Sequence, residues 1–585
     1  MRTKLSDTKT FSVQSYRALI AALIVLTVLC GVLTYLLFRK NPDPNAILAP
    51  SSDYEGLSEY EAKRVLNQLY EKVQVTTLPA IKENVDLEKV DLAEILPDIN
   101  KFPLLVAPVK NTFSVEIASS PEKASPLGPR SKANRWLVDM AEKFNRQKIF
   151  LKGQQVSVSV RSLPSGLAMD YIISQKYIPD AFTPSNSLWG DALKAQGHSY
   201  KLMGEKLVGN VAGIVIEKSK YAGFLAKYKE VSVPTVVQAV NQGNFTLGYT
   251  NPVISSTGAN FMMSLLYHES PNDPLSEEAK AAYEKFQNNI PFVAFTTLQM
   301  TEAAKSGVFD GFIYEYQQFL NSPELKENYV FTPFGIRHDS PVYVLNNLDK
   351  TKLELVTMFI TFCRFPEAQK LAKNYGFNQF ESYAGRPTLK GRYLPEAQKL
   401  FLEKKTGDRA VVAVFVADIS GSMAGAPLRS LKRSLIHGSK EISYNNYIGL
   451  VQFSDQVQIA LPIGRFDLNQ RAFFTGAVNN MTSGGGTAMY DGIIVAAKML
   501  EDIQSDLPDA IPMIIVLSDG ETVEGHTFEQ VAPVIRGLRI PIYTIGYNAD
   551  LKNLRAVSSI NEAASLEADT EDIVYKLRGF FNAEM

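Results

Sequence analysis

Asp418, Ser420 and Ser422 stand at i, i+2 and i+4 directly after the apolar run AVVAVFVA (410–417). Thr487 follows three glycines, Gly484 to Gly486, and Asp519 follows the apolar run of IPMIIVLSDGE (511–521). Two carboxylates and three hydroxyls form an all-oxygen donor set. Such a set suits a hard cation, Mg²⁺ above all, octahedral at about 2.1 Å, with Mn²⁺ or Ca²⁺ as the other candidates. No thiolate or imidazole is at hand, which argues against Zn²⁺. If the hydroxyls bind directly and the aspartates act largely through water, little negative charge reaches the ion. It then keeps an electrophilic open position that a partner's carboxylate can fill.

The elements around these residues explain how they would meet. A continuous apolar run such as 410–417 reads as a strand covered on both faces. A helical pattern follows it, PLRSLKRSLIHGSKEI, then strands YIGLVQFS and QVQIALPI. Helix NQRAFFTGAVNNM, loop and helix SGGGTAMYDGIIVAAKML, strand IPMIIVL, helix EQVAPVIRGL and strand IPIYTIGY complete the series. The alternation predicts a doubly wound sheet of about six strands, with three loops converging at its carboxyl edge. Residues 409–585 resemble a von Willebrand factor A domain. Asp418, Ser420, Ser422, Thr487 and Asp519 match its metal-ion-dependent adhesion site, D-x-S-x-S…T…D, at every position. The resemblance implies binding of a protein partner that presents an acidic residue, and no catalysis.

A second group of polar residues sits where predicted strands turn into helices. These are Ser119 and Ser120, Ser165 and Gly166, Ser185 and Asn186, and the run Ser255, Ser256, Thr257, Gly258. In open α/β sheets, ligands bind beyond the carboxyl ends of the strands. Helix N-termini there offer unpaired N–H groups and a positive dipole end, which suit an anion. Each residue taken singly would also serve as an ordinary N-cap or turn former. SVEIASSPEK, PDAFTPSN, KLVGNVAGIVIEKSKY, GYTNPVISSTG, DGFIYEYQ and PEAQKLAKNYGF give residues 113–385 a resemblance to type II bacterial extracellular solute-binding proteins of molybdate- and sulfate-type topology. The resemblance implies two lobes, a hinge of crossing strands and a ligand cleft, with Ser119, Ser120, Ser165, Ser185, Asn186, Ser255, Ser256 and Thr257 as candidate ligand-binding residues.

The expected fold class is therefore α/β: a two-lobed periplasmic-binding-protein-like domain plus a doubly wound Rossmann-like domain, with one N-terminal transmembrane helix. The helix is ALIAALIVLTVLCGVLTYLLF (18–38), which carries no charge. At 1.5 Å per residue it is about 32 Å long, enough to cross a hydrocarbon core of about 30 Å. Arg2, Lys4, Lys9 and Arg17 precede it and only Arg39 and Lys40 closely follow. This bias puts residues 1–17 in the cytoplasm and the bulk outside, as a single-pass protein of the plasma membrane. A cleaved signal peptide would have a shorter apolar core and a small-residue cleavage site. Leu36, Leu37, Phe38 and Arg39 follow instead. Residues 39–112 read as linker and stalk, with a short helix over Leu57–Glu71, and residues 386–408 as a connector.

Composition closes off other classes. Lys+Arg is 60 and Asp+Glu 61, so no global charge calls for nucleic acid as partner. Two cysteines, Cys30 and Cys363, cannot build a disulfide scaffold. No H-E-x-x-H, G-x-S-x-G or P-loop is present, and Glu521 beside Asp519 is the lone candidate for a base. The expected function is that of a membrane-anchored extracytoplasmic interaction protein, not an enzyme. The alternative is a receptor for a small anionic solute, such as an oxyanion, in transport or sensing.

Overall fold

A computed structural model of the chain describes residues 56–85, 91–126, 132–290, 292–294, 300, 309–345, 348–385, 389–405, 409–519, 522, 524–547, 554, 557–558, 565–568 and 577. The predicted membrane helix at 18–38 lies outside these. Among the described residues, no helix is long and apolar enough to cross a membrane.

The apolar run before Asp418 forms the central strand of a seven-stranded sheet, Val411–Asp418. Its side chains alternate between two cores, as a strand's two-residue period requires. Val411, Ala413, Phe415 and Ala417 face one core with helices Ala426–Ser439 and Leu468–Asn479. Val412, Val414 and Val416 face the other, with helices Met489–Ile503 and Phe528–Leu538. The sheet order is Val75–Thr77, Val457–Arg465, Tyr447–Phe453, Val411–Asp418, Ile511–Ser518, Ile542–Tyr547 and Ser565–Ala568. Tyr447–Phe453 and Ile511–Ser518 flank the central strand in parallel, so three carboxyl ends lie side by side.

The edge strand Val75–Thr77 corrects the reading of residues 39–112 as linker and stalk. Val75, Thr76 and Thr77 pair in parallel with Val457, Gln458 and Ile459 and cover what would be an open sheet edge. The expected helix forms at Glu59–Tyr70, opened by a Ser58–Glu61 capping box. It is no free stalk: Ala62, Val65, Leu66 and Leu69 are buried, and the last three join the core of the Val412 face. At roughly 1.5–3 kcal/mol for each large apolar side chain removed from water, this face holds the segment to the domain.

Residues 91–106 belong to the two-lobed unit instead. Leu104–Val106 pairs antiparallel with Gln154–Ser162. Tyr171 Oη donates to the Pro97 carbonyl (2.9 Å), and Arg161 Nη1 donates to Ile99 O at 3.0 Å. At the other end, the expected connector 386–408 contains helix Leu394–Lys404, whose Leu394, Ala397 and Phe401 are fully buried in the core of the same unit. Gln398 Nε2 donates to Pro252 O at 3.0 Å, and Lys404 pairs with Glu284 at 2.7 Å. The two-lobed unit is thus an insertion, about 91–405, between the first strand of the doubly wound domain and its central strand.

In the first lobe, Phe113–Ser119 lies parallel to Gln154–Ser162 and Ala181–Thr183, with antiparallel additions at 342–345 and 200–204. In the second, Leu247–Thr250 lies parallel to Phe292–Ala294 and Gly311–Glu315, and Val211–Glu217 runs antiparallel between Gly311–Glu315 and Tyr329–Arg337. The sheets are mixed where the sequence predicts mainly parallel ones. The antiparallel strands at 200–204, 211–217, 329–337 and 342–345 are those by which the chain passes between lobes, and the two crossings pair with each other: Asn210 N to His338 O at 3.0 Å, and His338 N to Asn210 O at 2.9 Å.

Candidate metal site and interlobe cleft

The three loops of the doubly wound domain are tied to one another at the carboxyl edge. Asp418 ends the central strand and is fully buried. Its Oδ1 accepts from Ser420 N (2.8 Å) and its Oδ2 from Ser518 Oγ (2.6 Å), which joins the first loop to the third. Gly421 N donates to Gly485 O (3.1 Å), and Gly484 N donates to Ile419 O (2.8 Å), which joins the first loop to the second. Gly485 has φ +80°, and a Cβ there would meet Asp455 Oδ1 at 2.1 Å, so only glycine fits. Glu524 N donates to Thr487 O at 3.3 Å, and His526 Nδ1 lies 2.6 Å from Asp491 Oδ1, closing the second loop on the third.

Within this frame Ser420 Oγ and Ser422 Oγ are 2.9 Å apart, Ser422 exposed and Ser420 buried. Thr487 is largely buried and Asp519 half-buried. All five predicted residues therefore lie at one rim. The structure adds Ser518, Asp455 and Glu524 around them. Ser518 was visible in LSDGE, but its bond to Asp418 depends on strand neighbours far apart in sequence.

Two features fit a cation. Asp519 Oδ1 is buried with no hydrogen-bond partner among the described residues, an expensive state for a carboxylate oxygen. Burial pushes the Asp418 carboxyl above the usual aspartate range; hydrogen bonds from Ser420 and Ser518 offset part of this, and the neighbouring Asp519 charge adds to it. A divalent ion beside both would relieve each. No group of three or more His, Cys, Asp or Glu side chains is placed to hold a metal among the described residues; the rim is richer in hydroxyls than in charge. Ser420, Ser422 and Thr487 would hold Mg²⁺ directly, with Asp418 and Asp519 behind them. When bound, the ion supplies a Lewis-acid position for an acidic ligand.

In the two-lobed unit, the predicted residues divide. Ser165 Oγ accepts from Ser256 Oγ (3.2 Å), Ser185 N lies 3.4 Å from Ser165 Oγ, and Asn186 Nδ2 lies 3.3 Å from Ser256 O. The two contacts to Ser256 bridge the lobes, and the Ser185–Ser165 contact ties together two loops of the first lobe. Ser120 Oγ and Ser185 Oγ both donate to Glu122 Oε1, at 2.5 and 3.0 Å. Thr257 Oγ1 donates to Glu315 Oε1 at 3.0 Å. Two do not line the junction as expected: Ser119 Oγ turns to the Ser120 carbonyl, and Ser255 Oγ serves as an N-cap, accepting from Gly258 N. Trp189 is fully buried and donates from Nε1 to Ser256 Oγ (2.8 Å), so it packs and does not stack on a ligand.

The charged residues of the cleft escape a reading based on hydroxyls. Lys123 is fully buried beside Glu122 (Nζ to Oε1 2.8 Å) and also donates to Ser120 Oγ. His338 Nδ1 lies 2.9 Å from Glu315 Oε1, with its Nε2 3.1 Å from both Asn186 and Asn260. Glu122 and Lys123 stand in SVEIASSPEK and Glu315 in DGFIYEYQ, but nothing in their spacing announces burial.

Comparison with known proteins agrees with this division. Residues 413–578 match the family model for the von Willebrand factor type A domain, and residues 131–378 that for a bacterial extracellular solute-binding protein. A curated relative, the inter-alpha-trypsin inhibitor heavy chain H1 of Mesocricetus auratus, is 28% identical over 197 residues. That match covers 31% of this chain and spans only 21% of the relative's length. Among solved structures, a von Willebrand factor type A protein from Catenulispora acidiphila is 21% identical (30% of this chain, 42% of that chain, TM-score 0.27). The sulfate-binding protein SubI from Mycobacterium tuberculosis H37Rv is 12% identical (50% of this chain, 90% of that chain, TM-score 0.33). The chain thus joins an A-type unit, whose kind suggests a protein partner, to a solute-binding-like unit, whose kind suggests a small solute.

Proposed function

We propose that this chain is a membrane-anchored, extracytoplasmic interaction protein whose A-type unit holds Mg²⁺ at the rim and, through it, an acidic side chain of a protein partner. The observation that carries this is Asp519 Oδ1, unpartnered among the described residues beside buried Asp418, where three loops are locked together around neutral hydroxyls. The inserted two-lobed unit then serves as a second module on the same anchor. The 18–38 run supports the anchor and the basic bias before it supports the orientation. Neither unit's constellation supplies a nucleophile with an accessible base, so no reaction is assigned to it.

An array of peptides probed with the full chain, in Mg²⁺ and in EDTA, tests the reading. Retention on Asp- or Glu-bearing peptides that EDTA abolishes is expected. Equal retention in EDTA overturns the metal bridge.

A further inference from the structure

The first lobe already holds an anion beside the interlobe junction: the carboxylate of Glu122. Its Oε1 takes hydrogen bonds from Ser120 Oγ (2.5 Å), Ser185 Oγ (3.0 Å) and Lys123 Nζ (2.8 Å). Three convergent donors, one of them cationic, form the kind of cradle that holds a free oxyanion. Glu122 is 6% exposed and Lys123 0%, so both charges lie out of water and depend on each other. Ser185, which donates to Glu122, also contacts Ser165 at the junction where the two lobes meet. Gly166 N donates to Ile254 O at 3.3 Å, and a Cβ on Gly166 would meet Val253 O at 2.2 Å. Ser165 and Ser256 share a hydrogen bond across the same junction. Donors that would hold a solute are spent on one another or on Glu122.

We infer that Glu122 is a resident internal ligand, its carboxylate standing where a free oxyanion would sit, so that the unmodified chain captures no free oxyanion in this cleft. The two-lobed unit is then a permanently closed body, held by its own side chain in the state that a ligand would otherwise impose. Removing the carboxylate while keeping Lys123, Ser120 and Ser185 must create a site for a small oxyanion or carboxylate. This inference is independent of the metal reading.

Thermal unfolding of the full chain tests it, with acetate, sulfate and phosphate each set against chloride at equal ionic strength. Sulfate stabilises proteins generally by exclusion from their surface, so the quantity read is the difference between variant and wild type. Wild type is expected to show no saturable shift. Glu122→Ala is expected to melt lower and to regain about 2–4 °C saturably with acetate or sulfate, because ligand that binds only the native state stabilises it. Glu122→Gln, which refills the space without charge, is expected to show no response, and Glu122→Ala combined with Lys123→Met is expected to lose it. A saturable rise in wild type overturns the inference, as does a Glu122→Ala response no greater than that of Glu122→Gln. If Glu122→Ala accumulates as folded protein only in acetate or sulfate, the inference stands; if neither anion restores folding, it fails.

Discussion

Ser518 Oγ donates a 2.6 Å hydrogen bond to Asp418 Oδ2 across the ends of two adjacent parallel strands. With Ser420 N on Oδ1 at 2.8 Å, both oxygens of Asp418 are engaged by the protein. The carboxylate is thereby fixed in place. Asp519, next in sequence to Ser518, keeps Oδ1 without a partner among the described residues. The rim thus contains one oriented and one unsatisfied carboxylate, and the two should respond differently to substitution.

Asp519→Ala removes the unsatisfied oxygen. It should abolish Mg²⁺ binding by calorimetry while moving the metal-free melting temperature little, since no bond to a described residue is lost from Oδ1. A large metal-free loss of stability would show that Asp519 is a structural residue instead.

Asp418→Asn should separate stability from binding. The burial that raises the Asp418 pKa means that the charged form opposes folding. A raised carboxylate pKa costs stability as pH rises from the unfolded value toward the folded one, and the cost persists above it. The metal-free variant should therefore melt at or above wild type at pH 7, with the gap closing toward pH 4. Its Mg²⁺-dependent rise in melting temperature should disappear. A variant that melts lower and still binds Mg²⁺ contradicts the assignment.

The rim was legible in the sequence because its signal is local: an apolar strand followed within five residues by Asp418, Ser420 and Ser422. The helix at Glu59–Tyr70 was legible too, from its helical spacing. Its place was not. Val75–Thr77 has one clearly apolar residue, and its identity as a sheet strand comes entirely from pairing with Val457–Ile459, far along the chain. EAQKLFLEK (396–404) within the expected connector has amphipathic spacing, yet periodicity says that a face is covered and never by what. Glu122 and Lys123 stood unremarked inside SVEIASSPEK, because burial of an ion pair leaves no mark on spacing.

The wrapped N-terminal segment gives a sharp contrast between truncations. Deleting residues 1–55 should leave a soluble, folded protein. Deleting residues 1–85 removes the edge strand and uncovers the core that Leu66 and Leu69 complete, and should give aggregation or loss of cooperative unfolding. Leu66→Ala alone should cost about 2–5 kcal/mol in chemical denaturation, as for a fully buried leucine. A cost below about 1 kcal/mol would mean that the helix is only loosely attached.

Glu122 should shape acid stability. Burial pushes its carboxyl up, but the Lys123 ammonium and the Ser120 hydroxyl outweigh this and hold it below the usual glutamate range. A lowered carboxylate pKa gives stability that is present above the unfolded value, about 4.3, and lost as pH falls through the folded one. Glu122→Gln leaves buried Lys123 without its counter-charge, at a cost of about 3–5 kcal/mol near neutrality. The wild-type advantage should be flat from about pH 5 to 8 and shrink below about pH 4. An advantage that does not change with pH would mean that the pair is not ionic.

The most direct measurement is anomalous scattering from crystals of residues 56–585 grown with Mn²⁺ in place of Mg²⁺. The predicted result is a single strong peak at the rim, within bonding distance of Ser420 and Ser422 Oγ and lost in Asp519→Ala crystals. A folded rim with no peak at saturating Mn²⁺, confirmed by the absence of heat on Mg²⁺ titration, would contradict the account.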